Sequence, residues 1–266
     1  MKNVLTIAGS DSCAGAGIQA DLKTFSALKT YGLSVITAIT AQNTQGVLDV
    51  REMDAEIITA QIDAVFGDIR VDAVKIGMVS SAAIIEAIGA ALKKHNARNI
   101  VVDPVMVSKS GCHLLRPEAG EALIKILLPL AEVATPNLFE AEAITGEKIT
   151  ALSQMEKAAV LIHRLGARHV VVKGGHLEGD AVDVLYNGKD FKHLKSGRIA
   201  TPNTHGTGCT FSSAIAAFLA KGCQAEEALD KAKEFITGAI AHSFSLGHGV
   251  GPTHHFYQFY KDSDEI

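Results

Sequence analysis

The sequence predicts an α/β fold built on a largely parallel β-sheet, and two observations support this. Short β-branched runs alternate with amphipathic helical patterns along all 266 residues, as in successive βαβ units. Glycine-rich or polar residues follow most of these runs, at the strand ends where open α/β sheets bind ligands. Because no linker-like change in composition interrupts the pattern, we expect residues 1–266 to form a single domain.

The first half of the chain supplies three strand and helix pairs. The apolar run Val4–Ala8 stops at a glycine, and apolar residues then recur at spacings of three and four, which predicts a helix over Ile18–Thr30. The next run is β-branched and predicts a strand over Ser34–Thr40. The same two patterns predict the following elements, which are the helix Ala55–Phe66, the strand Val71–Gly77 and the helix Ala82–Lys94.

The second half continues this order and then changes direction. Apolar runs predict buried strands, and periodic stretches predict the helices between them, namely strands Asn99–Val102, Glu132–Thr135 and His169–Val172 and helices Glu118–Leu128 and Gln154–Leu165. The turn sequence Asn-Gly-Lys-Asp at 187–190 separates Ala181–Tyr186 from Phe191–Leu194 and indicates a hairpin. We therefore expect antiparallel strands at one sheet edge. A final helix is predicted over Ala225–Phe244.

A polar, glycine-rich segment leads into a helix between Asn203 and Lys221. Apolar residues in its second half recur at helical spacing, so the helix should begin near Gly208 or Cys209. A helix start offers unpaired backbone N–H groups and a partial positive charge, and small residues let an oxyanion approach closely. We therefore interpret this segment as an anion site.

Cys209 is the first candidate for a catalytic residue. Its thiol is the one side chain at this helix start that could exchange a proton, and a helix N-terminus lowers a cysteine pKa from its reference of about 8.5. The alternative is that Cys209 is a small buried apolar residue in an ordinary strand-to-helix loop.

Composition and charge exclude several classes of function. The net charge is −4 and the charged residues are dispersed, so nucleic acid is not an expected partner. No apolar run approaches the roughly 18 residues of a membrane span. The apolar stretch in the first ten residues is too short for a signal peptide, so we expect no membrane partner and a cytoplasmic location. The four cysteines lack the spacing of a zinc site. His254 and His255 do not form a helical i, i+4 pair, so no metal is expected there.

Polar residues after the first two strands are candidates for binding a substrate. Gly15, Gly17 and Ala20 match a relaxed dinucleotide fingerprint, but no acidic residue ends the next strand, so a dehydrogenase is disfavoured. A loop that closes around a small substrate is favoured, with Asp21 near that pocket or, alternatively, as a solvated acid in the first helical turn. Gln42 can donate and accept together, which suits a ring nitrogen beside an amino group. A plain polar turn is the alternative.

Charged residues follow three later strands. Asp103 could hold a cation or orient a substrate, or it could open a turn before proline. Asn137 and Glu140 have the spacing of a capping box, and the same pair could hold the Mg²⁺ of a nucleotide through water. Lys173 precedes two glycines, as in a phosphate-facing turn. His176 is expected at the surface.

In order along the chain, these stretches resemble the hydroxymethylpyrimidine and phosphomethylpyrimidine kinases of thiamine biosynthesis, a branch of the ribokinase-like superfamily. The match covers nearly the whole chain and includes Ala-Gln-Asn-Thr, Asp-Pro-Val-Met, Val-Lys-Gly-Gly-His and His-Gly-Thr-Gly-Cys-Thr. Each motif alone is weak evidence, whereas the ordered set is specific. The resemblance implies a central, mostly parallel sheet flanked by helices on both faces, a small β flap at the active site and, in most members, a homodimer.

The implied reaction is the ATP-dependent phosphorylation of 4-amino-5-hydroxymethyl-2-methylpyrimidine to its monophosphate and then to the diphosphate. By resemblance, the pyrimidine is held by Gln42 and by main chain near Gly9 and Val105, with Asp21 close by. Cys13 departs from the serine or glycine that is commoner in the family, without removing a functional group.

The resemblance also assigns the nucleotide and phosphoryl sites. Asn137 and Glu140 match residues that serve the Mg-nucleotide, Asp103 lies nearby, and Lys173 faces the phosphates. We therefore expect Mg²⁺ with ATP, and also a monovalent cation, as cofactors. The anion hole and catalytic residues implied by the resemblance are Gly206, Thr207, Gly208 and Cys209.

Two rival functions remain open on the same fold. A pyridoxal kinase would act on a similar hydroxymethyl group, but pyridoxal has no amino group to match the amide of Gln42. A non-catalytic sensor is the second rival, and the intact set of Lys173, Asn137, Glu140 and the anion loop argues against it.

Overall fold

A nine-stranded sheet organises the computed structural model, which describes residues 1–106, 117–175 and 181–260. The strands in chain order are β1 (Asn3–Asp11), β2 (Tyr31–Asn43), β3 (Gly46–Glu52), β4 (Ala73–Ile76), β5 (Ile100–Val102), β6 (Val133–Ala134), β7 (His169–Val172), β8 (Ala181–Tyr186) and β9 (Phe191–Ser196). The α-helices are α1 (Gly17–Ala27), α2 (Ala55–Asp68), α3 (Ala82–Lys94), α4 (Pro117–Ala122), α5 (Leu138–Thr145), α6 (Leu152–Arg164), α7 (Thr207–Ala220) and α8 (Ala225–Ala241).

The strand order across the sheet is β3-β2-β1-β4-β5-β6-β7-β8-β9. The six strands from β2 to β7 in this order pair in parallel, whereas β3, β8 and β9 pair antiparallel to their neighbours. Helical crossovers between parallel strands bring all their carboxyl ends to one edge. The predicted parallel sheet and its antiparallel β8–β9 edge are confirmed.

Helices cover both faces of the sheet because side chains alternate along each strand. On β1, for example, Leu5 belongs to the core under α2, α3, α5 and α6, and Val4 belongs to the core under α1, α7 and α8. Val102 and Val101 divide between the same two cores. The near-continuous apolar runs of the sequence are therefore strands buried on both faces.

The residue patterns did not predict the hairpin formed by β2 and β3. The predicted strand ended at Thr40, with a polar turn as one alternative for the residues that follow, but β2 continues to Asn43 and pairs with β3. The strand β3 escaped prediction because it has no buried face: its apolar residue Leu48 is 78% exposed. This hairpin corresponds to the expected β flap.

The helix predicted over Glu118–Leu128 is less regular than expected. The α-helix α4 ends at Ala122 and continues as a π-helical turn over Leu123–Leu127 and a 3₁₀ turn over Leu128–Leu130. Pro129 explains the change because proline lacks a backbone N–H and restricts the residue before it. In the described parts of the chain, no helix has the length and apolarity that crossing a membrane requires.

The adjacent isoleucines of α2 test how much the core contributes to stability. Ile58 is fully buried and Ile57 is 48% exposed. We expect Ile58→Ala to lower the free energy of unfolding by about 2–5 kcal/mol, because it removes buried methyl groups and leaves a cavity. Ile57→Ala is the matched control and should change it by about 0.5 kcal/mol or less. Urea denaturation measures both, and equal losses would contradict the packing described here.

Candidate active site

The start of α7 faces the carboxyl edge of the sheet. A Cβ placed on Gly208 would lie 3.4 Å from Lys173 Nζ and 3.6 Å from Asp103 Oδ2, so the helix start lies beside the ends of β5 and β7. On the other side, the ring Nε2 of His205 lies 3.4 Å from Gln42 Nε2 at the end of β2. The predicted anion site therefore lies between the residues predicted for the pyrimidine and those predicted for the nucleotide.

Gly206 determines where α7 begins. It is the N-cap of the helix and has φ 78°, a left-handed conformation that favours glycine. The helix therefore starts at Thr207, one or two residues earlier than the sequence predicted. A side chain on Gly206 would also collide with the carbonyl oxygen of Gly15. The absence of a Cβ thus lets the anion loop pack against the first glycine loop.

The backbone amides at this helix start are available to a ligand. Thr207 N donates to Thr204 O at 3.3 Å. Within the described ranges, the amides of Gly208 and Cys209 have no acceptor. Amides in this position bind phosphate oxygens, and the helix dipole favours their charge. The geometry expected of an anion hole is present, and its role stays a prediction.

The thiol of Cys209 is protonated near neutral pH. Burial raises its pKa to about 11; Lys75 opposes this shift, Asp21 and Asp103 add to it, and a hydrogen bond from the Gly17 amide opposes it. The predicted lowering of this pKa by the helix start is therefore wrong. Removal of the thiol from water outweighs the helix dipole.

Asp21 lies in a buried network and not at a solvated helix surface. Its Oδ2 accepts hydrogen bonds from Thr6 Oγ1 at 2.6 Å and Lys75 Nζ at 2.9 Å, and its Oδ1 accepts one from Ser213 Oγ at 2.6 Å. Asp21 and Lys75 are both fully buried. The solvated alternative for Asp21 is wrong, and its carboxylate is engaged by protein groups. Its predicted contact with a substrate stays a prediction.

Lys173 and Asp103 form an ion pair at the ends of β7 and β5. Lys173 Nζ lies 2.8 Å from Asp103 Oδ1, and Asp103 also accepts hydrogen bonds from Thr135 and Ser212. Burial alone would lower the pKa of Lys173, but the charges of Asp103 and Glu140 raise it. The lysine therefore remains charged beside the anion loop, as a phosphate ligand requires.

Asn137 and Glu140 form the predicted capping box at the start of α5. The Glu140 amide donates to Asn137 Oδ1 at 3.0 Å, and the Asn137 amide donates to Glu140 Oε2 at 2.7 Å. Burial raises the pKa of Glu140 to about 7; the charge of Lys173 lowers it and that of Asp103 raises it. Two buried acids thus share one nearby lysine. The site therefore holds more carboxylate groups than this lysine can neutralise, which suits a hard divalent cation such as Mg²⁺.

Gly9 and Val105 contribute through the backbone. The pairing of β1 with β2 shifts register between Ala8 and Ser10, so Gly9 lies at an irregularity of the strand. The Val105 amide donates to Asp103 O at 2.8 Å, which engages that N–H in a tight turn. The roles of both residues toward a substrate stay predictions.

Three polar residues of the site were missed by sequence reasoning: Asp11, Lys75 and His205. Asp11 is 3% exposed and accepts hydrogen bonds from the amides of Cys13, Gly15 and Ala16. An aspartate followed by small residues is a signal for such a loop. The pairing of Lys75 with Asp21 could not be predicted, because the partner of a lysine inside an apolar strand is distant in sequence and close only in the folded chain.

The glycines that matched the dinucleotide fingerprint have another use. A side chain on Gly15 would collide with the ring of His205, and one on Gly17 would collide with the carbonyl oxygen of Gly9. These glycines let the first loop pack against the anion loop and against β1. The strand β2 ends in Thr40-Ala41-Gln42-Asn43 and has no acid at the ribose position, so a dehydrogenase remains disfavoured. His176 lies outside the described residues.

Fold and site together define a kinase of the ribokinase-like fold. The chain belongs to the phosphomethylpyrimidine kinase family, whose sequence profile matches residues 11–254. It is 56% identical over 262 residues to a hydroxymethylpyrimidine/phosphomethylpyrimidine kinase of Rhizobium meliloti, covering 97% of this chain and 98% of that one.

Two solved structures are similar to the whole fold. The phosphomethylpyrimidine kinase of Clostridium difficile superposes with a TM-score of 0.81 at 55% identity, covering 90% of this chain and 100% of that one. The pyridoxal kinase of Staphylococcus aureus in complex with AMP-PCP and pyridoxal gives a TM-score of 0.91 at 40% identity, covering 98% and 96%. Both substrate classes therefore occur on this fold.

Two glycines at opposite ends of α7 test the anion loop. Gly206 and Gly222 both have positive φ, but a Cβ on Gly222 would meet nothing within 4 Å. We expect Gly206→Ala to lower kinase turnover by about 100-fold or more, because it displaces the amides at the helix start. Gly222→Ala should cost about 1 kcal/mol of stability through backbone strain alone and keep turnover near wild type. A steady-state ATPase assay with thermal melts separates the two, and equal turnover would contradict this role of Gly206.

Proposed function

We propose that this chain transfers the γ-phosphoryl group of ATP to the hydroxymethyl group of 4-amino-5-hydroxymethyl-2-methylpyrimidine, and then phosphorylates the resulting monophosphate to the diphosphate. The observation that carries this proposal is the position, between Gln42 and Lys173, of the Gly208 and Cys209 amides, which have no acceptor among the described residues. Membership of the family and the similarity to kinases named for this substrate support it.

In this proposal the protein acts mainly through position and charge. Phosphoryl transfer spreads negative charge over the equatorial oxygens of the moving group. The amides of Gly208 and Cys209 and the ammonium of Lys173 would lie against that charge, and they are already held in place before the substrate binds. The fixed donors therefore supply most of the stabilisation, and no covalent intermediate with the protein is needed.

Glu140, Asp103 and Asn137 would hold Mg²⁺ on the nucleotide, partly through water. Bound there, Mg²⁺ neutralises phosphate charge and keeps most of its water shell. Glu140 would enter the site as a carboxylate, since a nearby cation favours the charged form and offsets the effect of burial on its pKa. The Asp103 carboxylate also holds Lys173 toward the same phosphates.

Gln42 would select the pyrimidine. Its Nε2 lies near the ring of His205, and its Oε1 accepts a hydrogen bond from Thr40 Oγ1 at 3.1 Å. The hydrogen bond from Thr40 limits the rotation of this amide, which can pair with a ring nitrogen and an exocyclic amino group. Pyridoxal lacks that amino group. It is nevertheless the second candidate substrate, because the chain is similar in fold to a pyridoxal kinase.

The substrate assignment is tested by comparing three acceptors. We expect rapid ATP consumption with the hydroxymethylpyrimidine and its monophosphate, and slow consumption with pyridoxal. Gln42→Leu should lower kcat/KM for the pyrimidine by about 10- to 100-fold, because it leaves polar groups of the substrate unpaired. It should affect pyridoxal less. Faster turnover of pyridoxal by the wild type would overturn the assignment, and ATP turnover without activity on any acceptor would revive the sensor.

Cys209 is proposed to relay a proton in the first phosphorylation only. Because its thiol is protonated near neutral pH, it would take up the hydroxymethyl proton while passing its own proton to an oxygen of the transferred phosphoryl group. A hydroxymethyl acceptor must lose a proton, whereas the phosphate acceptor of the second step needs no base. We expect Cys209→Ala to slow the first step strongly and to leave the second step near wild type, with Cys209→Ser as the conservative control. Rapid-quench measurement of each step on its own substrate decides this. Equal loss of both steps would contradict the proposal.

The remaining expectations also stay proposals. We propose one domain over residues 1–266, acting in the cytoplasm as a homodimer with a monovalent cation. The single sheet that joins β1 near the start to β9 supports one domain. The exposed apolar side chains Ile39 and Leu48 on the flap offer a surface that a second copy could cover.

A further inference from the structure

A second cluster of potential ligands lies at the pyrimidine end of the site, apart from the acids proposed for Mg²⁺. It consists of Asp11, Cys13 and His205, which come together although the histidine is 192 residues from the cysteine. We propose that these three side chains bind a thiophilic divalent cation such as Zn²⁺. The cysteine spacing in the sequence gave no indication of this site because its ligands come from two distant loops.

The donor atoms have separations close to those around a tetrahedral ion. Asp11 Oδ2 lies 2.9 Å from His205 Nε2 and 3.5 Å from Cys13 Sγ, and Sγ lies 3.7 Å from Nε2. Bonds of about 2.0 Å to nitrogen and oxygen and about 2.3 Å to sulfur place such ligands roughly 3.3–3.6 Å apart. Shifts of a few tenths of an ångström would therefore complete one face of the tetrahedron.

The loop holds the carboxylate in place before an ion arrives. The amide of Cys13 donates to Asp11 Oδ1 at 2.9 Å, and the amides of Gly15 and Ala16 donate to Oδ2 at 3.1 and 2.8 Å. These hydrogen bonds fix the orientation of the carboxylate, and the one from Cys13 reaches Oδ1, the oxygen that would not ligate the ion. The thiol and the imidazole both turn toward the same oxygen. An ion would replace the thiol proton, and it would bind Nε2 once the ring proton has moved to Nδ1.

Charge balance also favours a divalent cation. Asp11 is 3% exposed, and among the described residues no lysine or arginine forms an ion pair with it; its contact is with the imidazole of His205, whose side chain is 12% exposed. On binding, an ion would displace the thiol proton, and the resulting thiolate and the Asp11 carboxylate would together balance its two positive charges. Thiolate and imidazole ligands select Zn²⁺ or Cd²⁺ over Mg²⁺.

An ion at this position would affect substrate binding. The Nε2 atom of His205 that would ligate it is 3.4 Å from the amide nitrogen of Gln42. A bound ion would engage the Nε2 atom of the imidazole and occupy space beside the amide proposed to read the pyrimidine. We therefore expect ion and pyrimidine to compete, and this consequence rests on the proposed function.

Cadmium alone is the probe that tests the ion site. Titrating the full chain with Cd²⁺ in buffer containing excess Mg²⁺ should produce one thiolate-to-cadmium charge-transfer band per chain. Cys13→Ser and His205→Ala should weaken Cd²⁺ binding by about tenfold or more. Cys223→Ser is the matched control, because that cysteine lies just after α7 and away from the cluster. Thermal melts without metal check that each variant is folded.

The outcomes separate this site from the proposed function. Persistence of the band in folded Cys13→Ser would overturn the ion site. Loss of the band in Cys209→Ser would then identify Cys209 as the cadmium ligand. Loss in Cys13→Ser with retention in Cys223→Ser supports it whether or not the chain phosphorylates a pyrimidine. Adding 4-amino-5-hydroxymethyl-2-methylpyrimidine should then reduce the band, and an unchanged band would overturn the competition alone.

Discussion

The buried carboxylate of Asp21 joins four elements of the fold directly beneath the active site. It lies on α1 and binds Thr6 on β1, Lys75 on β4 and Ser213 on α7. Removing a charge pair from water is costly, and only good geometry with further hydrogen bonds compensates for it. Two such bonds are present here. The network therefore favours one position of α7 against the sheet. In that position the Gly208 and Cys209 amides at the start of the helix face the candidate active site.

The same burial controls the chemistry of the titratable groups. Desolvation raises the pKa of Cys209 to about 11 and that of Glu140 to about 7. Asp103 is also buried, which alone would raise the pKa of its carboxyl, but the charges of Lys173 and Lys75 lower that pKa below the usual range. Neighbours of opposite charge thus decide which buried acid stays ionised. A site with a neutral thiol and charged lysine is suited to binding phosphates and less suited to strong base catalysis.

Several separate segments of the chain meet at His205, at the pyrimidine end of the proposed site. Its ring contacts Asp11 and Gln42, and its backbone N–H donates to Gly251 O while its carbonyl accepts from Thr253 N. The C-terminal segment in turn bonds the flap, since Val250 N donates to Thr44 O at 2.9 Å. The first loop, the flap and the anion loop are therefore fixed relative to one another by short polar contacts.

Local chemistry in the sequence was enough to predict the elements and much of the site. Apolar periodicity located the parallel strands and the helices, because burial on one or two faces imposes it directly on the chain. The capping box of Asn137 and Glu140 depends on neighbours a few residues away, as does the start of α7, which was predicted near Gly208 or Cys209 and lies at Thr207. Strand ends that carry polar residues must gather at one edge of a parallel sheet, so Gln42, Asp103 and Lys173 could be placed there.

Only the tertiary structure decided the features that depend on distant partners or on water. The pKa of Cys209 depends on burial, which no neighbouring residue reveals, and the Asp21–Lys75 pair joins residues 54 positions apart. The flap strand β3 lacks a buried face and thus the pattern that prediction needs. The sequence determined which groups could act at the edge of the sheet, whereas packing determined which of them are charged and what each of them contacts.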